Sequence, residues 1–179
     1  PLESISPNIQ NAIIAIEDKD FYQHKGISLT GIIRSALKNL FTDSRVGGST
    51  ITQQFVRNAV LTREKTYTRK IKEIVISLQL ERRYGKDEIL KLYINEIPFG
   101  SNAYGVQAAA QTFFGKDARD LTLAESAYLA ALPQAPTFYS PYGPHKPELD
   151  GRADTVLALM ADQGHITKAE KTAAQGEQV

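Results

Sequence analysis

The segment AIEDKDFYQHKG, at residues 15–26, brings an acidic pair, an aromatic pair and a histidine to the end of an apolar helical pattern. Ser6 followed by Pro7 predicts the start of that helix, because serine accepts a hydrogen bond from a free backbone N–H and proline suits the first helical position. Apolar side chains then recur at helical spacing at Ile9, Ala12, Ile13 and Ile16. This stripe should face a core, with the polar segment at its C-terminal end.

Glu17 falls at the edge of the apolar stripe, about 80° round the helix from Ile9. A carboxylate at that position is partly desolvated, and desolvation raises the pKa of a carboxyl group towards the range that a general base needs. Asp18 lies further round the helix, so we expect it to be more exposed to water. The pattern indicates Glu17 as a candidate general base, with a solvated acid at a helix end as the alternative.

The composition favours a globular domain and excludes several kinds of site. With 179 residues, 42% hydrophobic, the chain can bury a core, and its net charge of +1 gives no general attraction to nucleic acid. It has no cysteine, and its three histidines lie far apart, which argues against Cys-bound metals and a histidine metal cluster. No run of about 18 apolar residues, initiator Met or signal peptide is present. We therefore expect an excised domain, with a membrane anchor outside these residues.

A second helix should follow the cap residue Ser28. Its apolar face comprises Leu29, Ile32, Ile33, Ala36, Leu37, Leu40 and Phe41. Arg34 and Lys38 lie on the opposite side. Such a helix can pack in a core or lie in a membrane interface, and the pattern alone favours the core.

The segment GGSTITQQFVRN, at residues 47–58, has Thr50 and Gln53 at capping-box spacing. Glycines that lead into a hydroxyl-capped helix N-terminus present free N–H groups, which suit a phosphate. An ordinary capped helix is the alternative, since no P-loop lysine follows. Gln54 and Arg57 add polar groups at helical spacing.

A long helix is predicted from Thr66. Its apolar face should consist of Ile71, Ile74, Val75 and Leu78. Several cations surround Glu73, namely Lys65, Arg69, Lys70 and Lys72. They form either a solvated, salt-bridged surface or a cationic cradle for pyrophosphate with a second carboxylate inside it.

The remainder of the chain also favours helices. Short helical patterns at residues 88–96, 106–114 and 123–132 are followed by a Pro- and Tyr-rich segment at residues 133–144, which we expect to be an extended strap. Further helices are predicted at residues 152–162 and after Thr167. Nothing alternates with a period of two over a long stretch, so the fold should be mainly α.

Five segments together resemble one known family. They are EDKDFYQHKG at residues 17–26, GGSTITQQ at 47–54, RKIKE at 69–73, KLYINEIPFGSNAYGVQAAAQTFFGK at 91–116 and LTLAESAYLAALPQAP at 121–136. In this order they resemble the peptidoglycan glycosyltransferases, which form the glycosyltransferase domain of class A penicillin-binding proteins and also occur as monofunctional enzymes. The resemblance covers residues 2–152, and five ordered motifs are specific where one is weak.

The resemblance implies a mainly α, lysozyme-like domain of two lobes over residues 1–179, with a small membrane-facing jaw at about residues 27–48 and a C-terminal helical tail at residues 153–179. It places Glu17 as general base and Glu73 as second catalytic acid. The substrate-binding positions that it implies are Asp18, Phe21, His24, Ser49, Thr50, Gln53, Gln54, Arg57, Lys65, Arg69, Lys70 and Asn95. Arg57 and Lys65 fall where the family places cations for a lipid-linked pyrophosphate.

The reaction implied by the resemblance is polymerisation of lipid II, a disaccharide-pentapeptide on undecaprenyl pyrophosphate. Glu17 would deprotonate the GlcNAc 4-hydroxyl of the acceptor as it attacks the anomeric carbon of the donor MurNAc, inverting an α-linked donor into a β-1,4 glycan. Undecaprenyl pyrophosphate leaves. Glu73 would orient the surrounding cations or hold a divalent cation, Mg²⁺ or Mn²⁺, against the pyrophosphate; no other cofactor or metal is implied.

The implied partners are lipid II, the growing glycan strand, a membrane surface and a transpeptidase domain in a longer protein, with no nucleic acid. The membrane contact would be made by Ile32, Ile33, Leu37, Leu40 and Phe41. This reverses the preference for the core at that stripe. The implied location is the extracytoplasmic face of the bacterial cytoplasmic membrane.

Two other functions fit parts of the sequence. A lysozyme or lytic transglycosylase also uses a glutamate in a helical lobe, but its leaving group carries no charge that needs a cluster of cations. An inactive lipid-binding module of a cell-wall complex would need no intact catalytic motifs.

Overall fold

The computed structural model describes residues 1–34, 48–61 and 67–179. Eight α-helices with described bounds follow one another: α1 Pro7–Glu17, α2 Ile51–Ala59, α3 Tyr67–Arg83, α4 Lys86–Glu96, α5 Val106–Phe114, α6 Leu123–Ala131, α7 Lys146–Asp162 and α8 Lys168–Gln175. Short 3₁₀ helices lie at Leu2–Ser4 and Ala118–Asp120. Within these ranges the only β pairing is an isolated bridge between Pro98 and Tyr104. The prediction of a mainly α fold is confirmed.

The chain divides into two units. Unit 1 consists of Pro1–Lys19 together with Ile94–Val179, and unit 2 consists of Asp20–Tyr93. Unit 1 is therefore built from both ends of the chain, whereas unit 2 is one continuous stretch.

Helix α1 of unit 1 begins as predicted. The Ser6 hydroxyl accepts a hydrogen bond from the Asn8 N–H at 3.3 Å, and Pro7 occupies the first helical position. Burial extends beyond the predicted stripe, because Ile14 and Ala15 are buried as well as Ile9 and Ile13. The reason is that α1 packs against both α6 and α7, so two of its faces are covered.

The later helices of unit 1 also begin at local capping signals. Thr122 and Glu125 form a capping box at α6, whose small and apolar side chains are almost all buried. Helix α7 begins at Lys146, earlier than predicted, because Pro147 lies in its first turn, where proline is tolerated. Thr167 caps α8.

The segment before α7 is not the extended strap that we expected. Residues 133–144 form successive turns, in which the Ala135 N–H donates to Leu132 O at 3.2 Å and the Tyr139 N–H to Ala135 O at 2.8 Å. Proline fixes φ but not ψ, so a Pro-rich stretch can enter turns as readily as an extended path.

Unit 2 packs α2 against α3, and the predicted apolar face of α3 is only partly buried, at Ile74 and Leu78. The buried residues of α3 are Glu73 and Ser77, whereas Ile71 and Val75 are 62% and 48% exposed. Polar partners within α3 satisfy the two buried side chains, because Glu73 Oε1 accepts from the Lys70 ammonium and the Ser77 hydroxyl donates to Glu73 O. Burial of polar groups is tolerated when such partners are present.

Residues 29–34 begin a helix whose described apolar side chains are exposed. Leu29, Ile32 and Ile33 are 68%, 43% and 60% exposed, so the preference for core packing is wrong for these three. The other predicted jaw residues, Leu37, Leu40 and Phe41, lie outside the described residues. None of the described helices is both long enough and apolar enough to cross a membrane.

Candidate functional site

Glu17, the last residue of α1, lies beside a cation in unit 1. Its carboxylate Oε1 is 3.6 Å from the Arg152 Nη2, and the two side chains are 11% and 18% exposed. Arg152 comes from α7, and its Nε donates to Ala131 O at 3.1 Å. Its guanidinium also lies 5.8 Å from the centre of the Tyr139 ring. The desolvated carboxylate predicted from the sequence is thus present, together with a fixed counter-charge.

Asp18 is more buried than we expected. It is 8% exposed, so the prediction of a wetter position is wrong. Asp18 is the C-cap of α1, with φ −162° and ψ 77°, and its N–H still donates to Ile14 O. Because its backbone has left helical geometry, the helical angle used for the prediction does not apply to its side chain.

The rest of the first motif lies in unit 2, where Phe21 is fully buried. The Tyr22 ring packs edge-on against Phe21 at 5.2 Å, and the Lys86 Nζ lies 4.6 Å from the centre of the Phe21 ring. His24 is half-buried, and its Nδ1 accepts a hydrogen bond from the Gly26 N–H at 3.1 Å. Phe21 therefore packs inside the unit, while His24 shapes the turn.

The predicted capping box at the start of α2 is confirmed. The Thr50 hydroxyl accepts from the Gln53 N–H at 3.2 Å, and Gln53 Oε1 accepts from the Thr50 N–H at 2.9 Å. The Thr50 hydroxyl donates its single proton to Gly26 O at 2.6 Å. Both side chains are almost completely buried, and these hydrogen bonds are made within the protein.

Ser49, Lys70 and Glu73 form a cluster in unit 2. The Lys70 ammonium donates to Ser49 Oγ and to Glu73 Oε1, both at 2.8 Å. Glu73 is completely buried, while the Lys70 side chain is 44% exposed. Among the described residues the buried Glu73 Oε2 has no hydrogen-bond partner. The alternative of a solvated, salt-bridged surface is therefore wrong in the solvation of Glu73, although the salt bridge to Lys70 is present.

The other predicted binding residues are dispersed over the two units. Gln54 Oε1 accepts from the Tyr93 hydroxyl at 3.0 Å. Arg57 on α2 and Arg69 on α3 are half-buried, and Asn95 is exposed near the end of α4 in unit 1. Lys65 lies outside the described residues.

Sequence patterns missed Arg152, whose guanidinium lies 3.6 Å from the Glu17 carboxylate. No short-range signal could have found it, because the two residues lie at opposite ends of unit 1 in the sequence. The Gly26 carbonyl was also missed, since a backbone acceptor leaves no mark in residue type.

The described residues do not by themselves build a metal site. Within residues 1–34, 48–61 and 67–179, no group of three His, Cys, Asp or Glu side chains could hold an ion. At Glu73 the Lys70 ammonium, 2.8 Å from Oε1, already balances the charge of the carboxylate.

Comparisons with known proteins define the class of the chain. Residues 1–161 match the family model described as Transglycosylase. Penicillin-binding protein 1F of Bacillus subtilis is 44% identical over 176 residues, covering 98% of this chain and 24% of that protein. Penicillin-binding protein 1A of Aquifex aeolicus is 46% identical over 167 residues, covering 93% and 23%. The chain thus spans about a quarter of the length of these curated relatives.

A solved structure, penicillin-binding protein 1A from Haemophilus influenzae, is 34% identical with a TM-score of 0.49, covering 72% of this chain and 16% of that chain. The family match and the close relatives identify an enzyme domain. The chain belongs to the transglycosylase family. The enzyme class predicted from the five motifs is thereby confirmed.

Proposed function

We propose that this domain polymerises lipid II into β-1,4-linked glycan strands and releases undecaprenyl pyrophosphate. The observation that carries the proposal is the Lys70 ammonium, held between the Ser49 hydroxyl and the buried Glu73 carboxylate. A fixed cation beside a hydroxyl and a helix N-terminus suits a pyrophosphate leaving group. It is less useful to an enzyme that cleaves a neutral glycan.

Glu17 acts as the general base in this proposal. Its partner Arg152 offsets the cost of burying a carboxylate charge, and the ionised form of a carboxylate is the one that accepts a proton. The acceptor 4-hydroxyl transfers its proton to Glu17 while its oxygen bonds to the donor anomeric carbon. The bond from that carbon to the pyrophosphate oxygen breaks from the opposite face, which inverts the configuration.

The cations of unit 2 stabilise the charge that develops on the leaving group. Lys70 is the best placed, with Arg57 and Arg69 on the same pair of helices. Ser49 Oγ accepts from Lys70, which leaves its own proton to donate to a phosphate oxygen. Thr50 and Gln53 contribute by forming the helix N-terminus, because their side chains are already used in the capping box.

A divalent cation stays a prediction. Mg²⁺ in phosphate-transferring enzymes takes one or two carboxylates and completes its shell with phosphate oxygens and water. Glu73 Oε2 is the atom of this cluster that would meet it. Loss of turnover on chelation, restored by Mg²⁺ or Mn²⁺, would support the ion.

The partners and the location follow from the proposed substrate. Lipid II is embedded in a bilayer, and the exposed Ile32 and Ile33 suit contact with its surface. The relatives are bacterial penicillin-binding proteins about four times as long as the matched region, which supports further domains, including a transpeptidase, in a longer protein. The extracytoplasmic face of the cytoplasmic membrane is the location that we propose.

The experiment is incubation of the chain with labelled lipid II in detergent, wild type beside Glu17→Gln, with products resolved on a gel. A ladder of glycan strands from the wild type alone is expected. Release of fragments from finished peptidoglycan without use of lipid II would favour the cleaving enzyme. Binding of lipid II without turnover by either protein would favour a binding module.

A further inference from the structure

A buried ion pair in unit 2 is not used by the proposed chemistry. Glu81, near the end of α3, accepts at the same Oε1 from the Lys86 ammonium and from the Thr52 hydroxyl, each at 2.7 Å. The Glu81 and Lys86 side chains are 7% and 18% exposed, and Thr52 is fully buried. Thr52 lies in the first turn of α2, so this carboxylate is tied directly to the helix N-terminus.

The same pair also holds the loop of the first motif. The Lys86 ammonium lies 4.6 Å from the centre of the Phe21 ring and 3.5 Å from His24 Nδ1. A Cβ at Gly26 would lie 3.0 Å from Glu81 Cγ, a tighter contact than almost all real Cβ atoms make. The loop therefore packs closely on the ion pair.

The loop is in turn tied to α2, through the hydrogen bond from the Thr50 hydroxyl to Gly26 O at 2.6 Å. The first turn of α2 is thus attached at two points, Thr50 to the loop and Thr52 to Glu81. Two attachments about half a helical turn apart fix both the position and the direction of the helix axis. Ser49 precedes this turn immediately.

We propose that Glu81 is a positioning residue for the pyrophosphate-binding N-terminus of α2, acting through Thr52, with Lys86 neutralising its charge. The inference rests on the proposed function, because it assumes that this N-terminus receives the leaving group. Hydrogen-bond donors that are already held in place bind an anion without the entropic cost of ordering them. Neutralisation by Lys86 matters because an unpaired carboxylate would repel a pyrophosphate. Glu81 should therefore affect the affinity for the lipid-linked donor substrate more than the rate of glycosyl transfer.

Thr52→Val tests this inference, with Thr52→Ser as the conservative variant. Valine keeps the shape of threonine and removes only the donor, while Glu81 keeps its Lys86 partner. We expect the dissociation constant for inorganic pyrophosphate and the KM for lipid II to rise roughly 3- to 10-fold in Thr52→Val, the range expected for one hydrogen bond. The kcat should stay within about twofold, and Thr52→Ser should restore affinity.

A matched control is Thr155→Val, which removes a hydroxyl bonded to Gly151 O in unit 1. It should change neither constant. Glu81→Gln and Glu81→Leu provide a second pair in case Thr52→Val does not fold. The Glu81→Gln variant keeps an acceptor for the Thr52 hydroxyl, so it should bind pyrophosphate more tightly than the Glu81→Leu variant does.

The outcomes separate the two proposals. Suppose that the wild type binds pyrophosphate and that Thr52→Val has the same dissociation constant for pyrophosphate and the same KM for lipid II, or differs only in a lower kcat. Either result would overturn the positioning role and leave the proposed function intact. Equal loss in Thr52→Ser and Thr52→Val would also overturn it, since the hydroxyl would then not matter. A wild type that binds neither pyrophosphate nor lipid II would overturn the proposed function and this inference with it.

Discussion

The Arg152 guanidinium lies 3.6 Å from the Glu17 carboxylate, and a hydrogen bond to Ala131 O holds it there. Helix α1 contributes the carboxylate and α7 the guanidinium, and both helices pack against each other in unit 1. Because the guanidinium has two attachments, it fixes where the carboxylate charge sits. The pair therefore couples the proposed proton transfer to the packing of the helices.

Glu17→Gln should lower the rate of glycan synthesis roughly 10² to 10⁴ fold, the usual contribution of a positioned general base. The amide keeps the size of the side chain, so the melting temperature should change little. Gel-resolved product formation and thermal unfolding check the two parts. Near-normal synthesis by the folded variant would contradict the role of Glu17.

Arg152→Lys should lower kcat roughly 10- to 100-fold, because a misplacement of about 1 Å can cost that much. Lysine keeps the positive charge but lacks the planar fork that reaches Ala131 O and Glu17 together. Steady-state kinetics on lipid II provide the measurement. Pyrophosphate affinity serves as the control and should be unchanged, because Arg152 contacts Glu17, Ala131 and Tyr139, whereas the proposal assigns the pyrophosphate to Lys70.

Lys70→Met should weaken pyrophosphate binding and also destabilise the domain, because it leaves the buried Glu73 charge without its ammonium. Breaking a fully buried pair costs about 3–5 kcal/mol, and the partial exposure of Lys70 should keep the loss of unfolding free energy below about 3 kcal/mol. Urea unfolding and titration calorimetry measure the two effects.

The double variant Lys70→Met, Glu73→Gln separates stability from binding. Removing the buried charge should restore most of the unfolding free energy, whereas pyrophosphate affinity should stay low. If the double variant were as unstable as Lys70→Met alone, the uncompensated charge would not be the cause.

Tyr22 should have a pKa well above that of an ordinary tyrosine. Partial burial raises its pKa to about 12, and the hydrogen bond that its hydroxyl donates to Asp87 at 2.9 Å acts in the same direction. The difference in tyrosinate absorbance between wild type and Tyr22→Phe should therefore show a transition near pH 12. A transition near the ordinary value of about 10 would contradict the assignment.

The same shift links Tyr22 to stability at high pH. A raised pKa in the folded state stabilises the fold below the unfolded value of about 10, and this contribution is lost as the pH rises towards the folded value. Tyr22→Phe should cost about 0.5–1 kcal/mol at neutral pH, the lower part of the range for one hydrogen bond, because both partners are exposed. The cost should shrink as the pH approaches 12.

Leu29→Ser combined with Ile33→Ser should weaken binding to liposomes at least roughly tenfold, since each apolar side chain that enters a lipid surface contributes about 1.5–3 kcal/mol when fully buried. The melting temperature should be nearly unchanged, because both side chains are exposed. Tyr104→Ser removes an apolar group that is 62% exposed in unit 1 and serves as the control. A lower melting temperature with unchanged liposome binding would instead indicate that these side chains pack in a core.

The helix starts could be predicted because the responsible interactions are local. Ser6 bonds to Asn8, and Thr50 and Gln53 bond to each other, all within a few residues. The buried face of α3 could not be predicted in this way. Its apolar pattern indicates Ile71 and Val75, but Glu73 and Ser77 are the buried residues, and their polar side chains bond to other groups of α3.

The composition of the site shows the same limit. Motif spacing places Lys70 and Glu73 together because they share one helix. It does not find Arg152, whose contact with Glu17 exists only once α1 and α7 have met. Nor does it show that the Thr50 proton is already committed to Gly26 O.

The discontinuity of unit 1 has a consequence for how the chain emerges from the ribosome. Unit 2, Asp20–Tyr93, is complete before the second part of unit 1 has been made. Helix α1 is covered by α6 and α7, which follow more than a hundred residues later in synthesis. Because domains generally fold as units during translation, the apolar face of α1 stays uncovered until α6 and α7 have been made. Nascent chains halted before Lys146 should therefore bind chaperones through α1, and Glu17 should gain its arginine partner only after α7 has been made.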